Sequence, residues 1–213
     1  MIVLSIDTCL DACAAAVWAE GRTLASRSEP MRRGHQERLG SLVSELMREA
    51  GIDSAALDRI GVTVGPGSFT GLRVGLAFAK GLGLALSRPV AGVGVLEALA
   101  ADEPDEVVAA AVAGPREQVY LQVFASGHAL MSPDCLPSVS AAARLIELAG
   151  GRRVALVGSG AEGLLAAAPG SRLAERTTPA PATVARLAAA APPPIAMPRP
   201  LYLRPPDARP SAA

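Results

Sequence analysis

The sequence predicts an α/β protein built as two lobes, and three observations carry that reading. Half of its 213 residues are apolar and its charges sum to zero, a composition that buries a substantial core and excludes disorder and strongly basic binders. Each half opens on strand-like runs and then alternates helix with strand. A charged break, Asp102-Glu103-Pro104-Asp105-Glu106, separates the halves into expected lobes of 1–101 and 102–213.

In the first lobe, Ile2–Asp7 and Ala14–Trp18 read as strands, and Glu20-Gly21 as a hairpin turn into Arg22–Ser28. After a polar connection through Gly34, Leu39, Leu42, Val43, Leu46 and Met47 recur at helical spacing, and Gly51 ends the helix. A turn at Asp53–Leu57 leads to the strand Ile60–Val64. Next come a Gly/Pro loop and a helix over Thr70–Leu86 that is apolar over more of its surface than one sheet contact requires. That breadth predicts burial on two sides: its own sheet, and either a partner or the second lobe. A strand at Pro89–Val93 and a short helix at Leu96–Ala101 complete the lobe. Beyond the break, strands are expected at Val107–Ala113, Gln118–Phe124 and Val154–Val157, and a helix at Ser140–Ala149. Gly158-Ser159-Gly160 turns into a short helical segment. From Pro169 the chain is rich in Pro and Ala, with a helix around Thr183–Ala190 and a tail that can return to the first lobe.

Nineteen of the twenty cationic residues are Arg and only Lys80 is Lys. Three cysteines, Cys9, Cys13 and Cys135, form no Cys-x-x-Cys pair, which fits a reducing compartment. The chain starts on a strand without a leader-like segment, and the Thr70–Leu86 run is interrupted by Arg73 and Lys80. A cytoplasmic protein with no membrane partner is expected.

The densest motif is Gly65-Pro66-Gly67-Ser68-Phe69-Thr70-Gly71-Leu72-Arg73-Val74-Gly75. Strand, glycine turn, hydroxyl cap and helix form a layout whose backbone N–H groups can face an anion. No Gly-Lys-Ser/Thr ending follows, because Leu72 and Arg73 come after Gly71, and Gly67 directly precedes Ser68, which breaks the Gly-x-Ser-x-Gly elbow. This run resembles the signature of the TsaB family, the dimerisation subunit of the machinery that makes threonylcarbamoyladenosine in tRNA. Ile2–Thr8, Arg33–Leu39 and Pro200–Arg204 resemble its first strand, the start of its first long helix and its C-terminal end. The resemblance is dense over the first hundred residues and thin beyond.

The resemblance implies an actin/Hsp70-like, RNase H-like architecture and a non-catalytic partner subunit. It would pair with a TsaD-like transferase and a TsaE-like ATPase, form a homodimer when alone, and meet tRNA through the complex. TsaD-type relatives carry a His-x-x-x-His metal pair, whereas here His35 is followed one turn later by Leu39. Neither a metal nor a cofactor is expected. The expected partner interface comprises His35, Leu39, Leu42, Leu46, Gly71, Val74, Gly75 and Phe78. A second reading is a degenerate nucleotide-binding phosphotransferase or ATPase using Asp7, Thr8, Gly67, Ser68 and Thr70. Under the plainer alternative, Asp7 hydrogen-bonds to nearby amides at a capped strand end. A serine peptidase would need a histidine and a carboxylate around Ser68. At the second lobe's hairpin, Ala113 and Gln118 replace two carboxylates that family members carry.

Overall fold

The computed structural model describes residues 1–204; the last nine residues of the expected second lobe lie outside that range. Strands β1 (Ile2–Asp7), β2 (Ala12–Ala19), β3 (Arg22–Pro30), β4 (Arg59–Thr63) and β5 (Val90–Val93) form the first sheet, in the order β3-β2-β1-β4-β5. The β1–β2 and β2–β3 pairs are antiparallel, and the β1–β4 and β4–β5 pairs are parallel. Helix α1 (His35–Ala50) follows β3, α2 (Phe69–Leu86) is the crossover between β4 and β5, and α3 (Val95–Ala100) follows β5.

The second sheet repeats the plan. Strands β6 (Val107–Ala113), β7 (Gln118–Ala125), β8 (His128–Ala129), β10 (Val154–Val157) and β11 (Arg172–Leu173) run in the order β11-β10-β6-β7-β8, and β9 (Asp134–Pro137) also pairs with β7. The β6–β7 pair is antiparallel, and β6–β10 and β10–β11 are parallel, as in the first sheet. Helix α4 (Ser138–Ala149) corresponds to α1, but the counterpart of α2 has shrunk to a 3-10 turn at Glu162–Ala167. The loops after β4 and β10 both open on a left-handed glycine, Gly65 at φ 105° and Gly158 at φ 104°. The architecture is the expected two-lobed actin/Hsp70-like α/β fold with mixed sheets flanked by helices. The two-residue strands β8 and β11 went unread in the sequence because runs so short carry no period.

Alternation along the strands sorts the core into layers. On β6, Val108, Ala110 and Val112 face α3 and the central core, while Val107, Ala109 and Ala111 face α4. On β1, Leu4 and Ile6 join the central core beneath α1 and α2, and Val3 faces the opposite side. That opposite side is covered by α5 (Pro181–Ala190), through Val184, Ala185 and Ala188. Lobe membership therefore departs from chain order after residue 180, because the helix following the second sheet belongs to the first. Ser5 Oγ donates to the Pro181 carbonyl (2.7 Å), and the buried Arg59 Nη1 donates to the carbonyls of Ala188 (2.7 Å) and Ala191 (2.6 Å), closing the C-terminal end of α5. Helix α2 is long and apolar enough to cross a membrane by length and composition, yet here it bridges two parallel strands and packs on their sheet.

Helix α1 is fastened to β3 by Arg38, which donates to Glu29 (2.6 Å) and Glu45 (2.6 Å), with Arg27 also reaching Glu45 (2.6 Å). The hydrogen-bonded Arg38 guanidinium holds the Glu45 carboxyl down at about 2. The clamp's contribution is present above the ordinary carboxyl range and fades as pH falls towards 2.

Removing the cation that closes α5 tests how firmly this helix is held. Arg59→Ala is expected to lower unfolding stability by about 2–3 kcal/mol, since it strips charge-assisted donors from two carbonyls. Denaturant titration with an unchanged m-value checks it.

Candidate functional site

The glycine loop and the start of α2 sit against the end of β1. Ser68 N–H donates to the Cys9 carbonyl (2.7 Å), Thr8 Oγ1 donates to the Gly71 carbonyl (2.7 Å), and Ser68 Oγ caps the helix by accepting from Gly71 N–H (3.3 Å). The approach is so close that a Cβ on Gly67 would lie 2.1 Å from the Cys9 carbonyl oxygen, and one on Gly71 would lie 2.0 Å from that of Thr8. These two glycines are fixed by backbone contact within the chain. Of the backbone donors at the helix start, Ser68 N–H is taken by the strand end and Gly71 N–H by the Ser68 cap.

Asp7 is buried one layer deeper. Its Oδ1 accepts from Thr63 Oγ1 (2.6 Å) and Cys9 N–H (2.9 Å), while its Oδ2 has no partner among the described residues. Burial raises its carboxyl above the ordinary range, against the opposing pull of these hydrogen bonds and of nearby His35. His35 starts α1, is itself buried, and leaves Nε2 unpartnered. Cys9 lies in the same cluster, its thiol pushed well above the usual range by burial and by Asp7. Among the described residues no three His, Cys, Asp or Glu side chains converge as metal ligands.

Above the loop, a cavity of about 530 Å³ opens between the lobes, lined by Asp11, Arg32, Ser68, Tyr120, Ser159 and Thr178 among others. Its cation Arg32 pairs with Asp11 (3.0 Å), and Ser159 Oγ accepts from Ala113 N–H (3.1 Å). Of the residues expected to bind a nucleotide, Asp7 and Thr8 are buried and bonded internally, and Gly67 is packed on Cys9. Only Ser68 and Thr70 remain exposed, and Ser68 is occupied as a helix cap. Among the described residues no histidine hydrogen-bonds to the Ser68 hydroxyl, whose oxygen accepts from Gly71 N–H.

The expected partner interface needs correction. Leu39, Leu42 and Leu46 are core residues, His35 is buried beside Asp7, and Gly71 and Gly75 face Thr8. The apolar stripe of α1 is consumed by the chain's own sheet, so none of these six is free for a partner. Val74 and Phe78 stay partly exposed; Gly40 of α1 packs beside the Phe78 ring, where an added Cβ would lie 3.8 Å away. Outward positions that sequence reasoning missed are Ala77, Gly81, Ala85 and Leu84, the last 72% exposed. The signal was available: Ala77 and Gly81 lie three and seven positions after Val74, on its face of the helix.

The fold and site define a two-lobed protein of the actin/Hsp70-like class whose phosphate-loop position is filled by its own backbone. The family model described as TsaD, tRNA N6-adenosine threonylcarbamoyltransferase, matches residues 26–170. The chain is 35% identical to the tRNA threonylcarbamoyladenosine biosynthesis protein TsaB of Escherichia coli over 100 residues, covering 47% of this chain and 43% of that one. An uncharacterized protein of Mycobacterium tuberculosis is 35% identical over 214 residues, covering 99% and 95% of the two chains. A crystal structure of an uncharacterized protein with similarity to peptidase YEAZ from Pseudomonas aeruginosa superposes with a TM-score of 0.77 at 30% identity, covering 95% and 99%. The chain belongs to the TsaB family, within the group that the threonylcarbamoyltransferase model covers.

Two substitutions separate close packing from helix propensity. Gly71→Ala is expected to cost about 2 kcal/mol or more, because its Cβ meets a backbone oxygen that cannot move aside. Gly81→Ala has open space around it and is expected to add up to about 1 kcal/mol. Thermal unfolding of the two variants in one buffer gives opposite shifts.

The buried carboxyl sets a pH dependence. The folded state holds the Asp7 proton more tightly than the unfolded chain does, so stability falls as pH rises from the ordinary carboxyl range through the raised folded value. Asp7→Asn keeps the Oδ1 acceptor and removes the charge. It is expected to stabilise the protein at neutral pH by about 1 kcal/mol and to flatten that decline, as denaturant midpoints measured across pH will show.

Proposed function

We propose that this protein is a non-catalytic dimerisation subunit of tRNA threonylcarbamoyladenosine synthesis, pairing with a TsaD-type transferase through the outer face of α2 beside α1. A TsaE-type ATPase joins the assembly, tRNA is met through it, and without the transferase a second copy takes the same face. The setting is the cytoplasm. The pathway reading is supported by the TsaB name of relatives that share about a third of their residues over some 100 residues, 46–47% of this chain.

The observation that carries the pairing is the unspent apolar surface of α2. Ala77, Gly81, Leu84 and Ala85 are exposed, and Val74 and Phe78 lie half-buried at the edge of the core, on an 18-residue helix whose other side already fills the sheet's groove. Small residues at Ala77 and Gly81 let a partner helix approach closely. The reading without intrinsic catalysis is supported by chemistry: Ser68 N–H, Gly71 N–H and the Asp7 Oδ1 acceptor are engaged within the chain, and Thr8 is turned to the Gly71 carbonyl.

Co-purification with the transferase tests the reading. Ala77→Glu and Val74→Glu place a carboxylate in the contact, where desolvation costs several kcal/mol. Each should weaken the assembly by at least about 100-fold while thermal unfolding stays near wild type. Arg153→Glu, on the exposed surface of the second lobe, should leave it intact. Leu46→Glu is expected instead to unfold the chain, since that position is core. An assembly that survives Ala77→Glu and Val74→Glu in folded protein overturns the interface.

A further inference from the structure

At the mouth of the glycine loop the described C-terminal segment crosses the start of α2. Leu201 N–H donates to the Val64 carbonyl (2.7 Å), which places Tyr202 beside Phe69 with ring centroids 5.6 Å apart and planes inclined by 32°. Arg73, one turn after Phe69, lays its guanidinium 3.7 Å above the Phe69 ring and donates from Nε to the Tyr202 hydroxyl (3.1 Å). Both rings remain about half exposed, Phe69 at 51% and Tyr202 at 47%. The core explains neither, and neither belongs to the outward face of α2 assigned above.

The two chain segments that supply this cluster are one-sided in charge along the sequence, although Arg176 and Arg186 pair with Asp102 outside them and Arg59 is buried against the end of α5. From Arg59 to Leu96 the chain carries Arg59, Arg73, Lys80 and Arg88 without a single Asp or Glu. From Arg176 to Pro206 it carries Arg176, Arg186, Arg199 and Arg204, again without one. The two segments that meet here are thus cationic and contain no carboxylate of their own.

We infer that Phe69, Arg73 and Tyr202 form a stacking platform for an unpaired base of RNA. This rests on the pathway reading above, which makes tRNA the polyanion at hand. A guanidinium with one face on an aromatic ring presents its other face to a second planar group, and its charge favours the adjoining phosphate. Unstacked bases are held this way on aromatic and arginine planes, largely without regard to sequence. An acidic peptide fits less well, because it calls for the guanidinium edge, and here Nε is already donated to Tyr202.

The test measures fluorescence anisotropy of labelled, unmodified tRNA with the subunit assembled on its transferase, while gel filtration follows assembly. Phe69→Ala and Arg73→Ala should each weaken binding by about 5- to 100-fold, the value of one stacked base, and Phe69→Trp should restore it. Arg73→Ala should also lower the slope of log affinity against log salt by about one, and Phe69→Ala should leave it unchanged, a split that mere loss of packing does not produce. Unchanged binding by both alanine variants in intact assemblies overturns the platform. So does loss of assembly in Phe69→Ala, which would make the patch a protein contact. If the chain never joins a transferase yet binds tRNA alone with the same variant pattern, the platform stands and the proposed pairing falls.

Discussion

Everything in the first lobe is arranged around the contact of two backbones, the first turn of α2 against the end of β1. With Gly67 and Gly71 the helix settles onto the carbonyls of Cys9 and Thr8, and two hydrogen bonds, Ser68 N–H to the Cys9 carbonyl and Thr8 Oγ1 to the Gly71 carbonyl, tie loop and helix start to the strand end. That contact sets the height of α2 above the sheet. It thereby sets which residues of α2 sink between β4 and α1 and which remain outside. The same contact takes up the Ser68 N–H, one of the donors that a helix N-terminus otherwise offers to an anion.

The second lobe shows what happens without that contact. It repeats the order and senses of the strands and the left-handed glycine after its fourth main strand, but its second helix is only a 3-10 turn. The first lobe therefore carries the long exposed helix, and the second closes the other wall of the cleft. The protein is asymmetric in use although its two sheets share a plan.

Much of this was legible in the sequence where period and punctuation agree. The unbroken apolar run of β6, the heptad-like stripe of α1 and the glycine run before α2 each specify one structure. The assignment of the α1 leucines to a partner failed because an apolar stripe records that a face is buried, not what buries it. Leu39, Leu42 and Leu46 meet strands of the same chain. The fate of Asp7 was half legible: a carboxylate at a strand end announces a hydrogen-bonded cap, but its burial against Thr63 and His35 comes from residues 56 and 28 positions away. The Phe69–Tyr202 contact joins positions far apart in the chain, and no local pattern forecasts such a meeting.

The return of α5 to the first sheet gives the molecule a history in time. Ser5 and Pro181 are joined across 176 residues, and the face of β1 and β5 that α5 covers is complete once Val93 has been made. At ribosomal speeds of about 5–20 residues per second, that apolar face waits roughly 5–20 s for its cover. For that interval the nascent chain presents Val3, Ala91 and Val93 with nothing of its own to lay over them. The first lobe is begun first and closed only when α5 arrives, so the strands of the second lobe are made while the first still stands open.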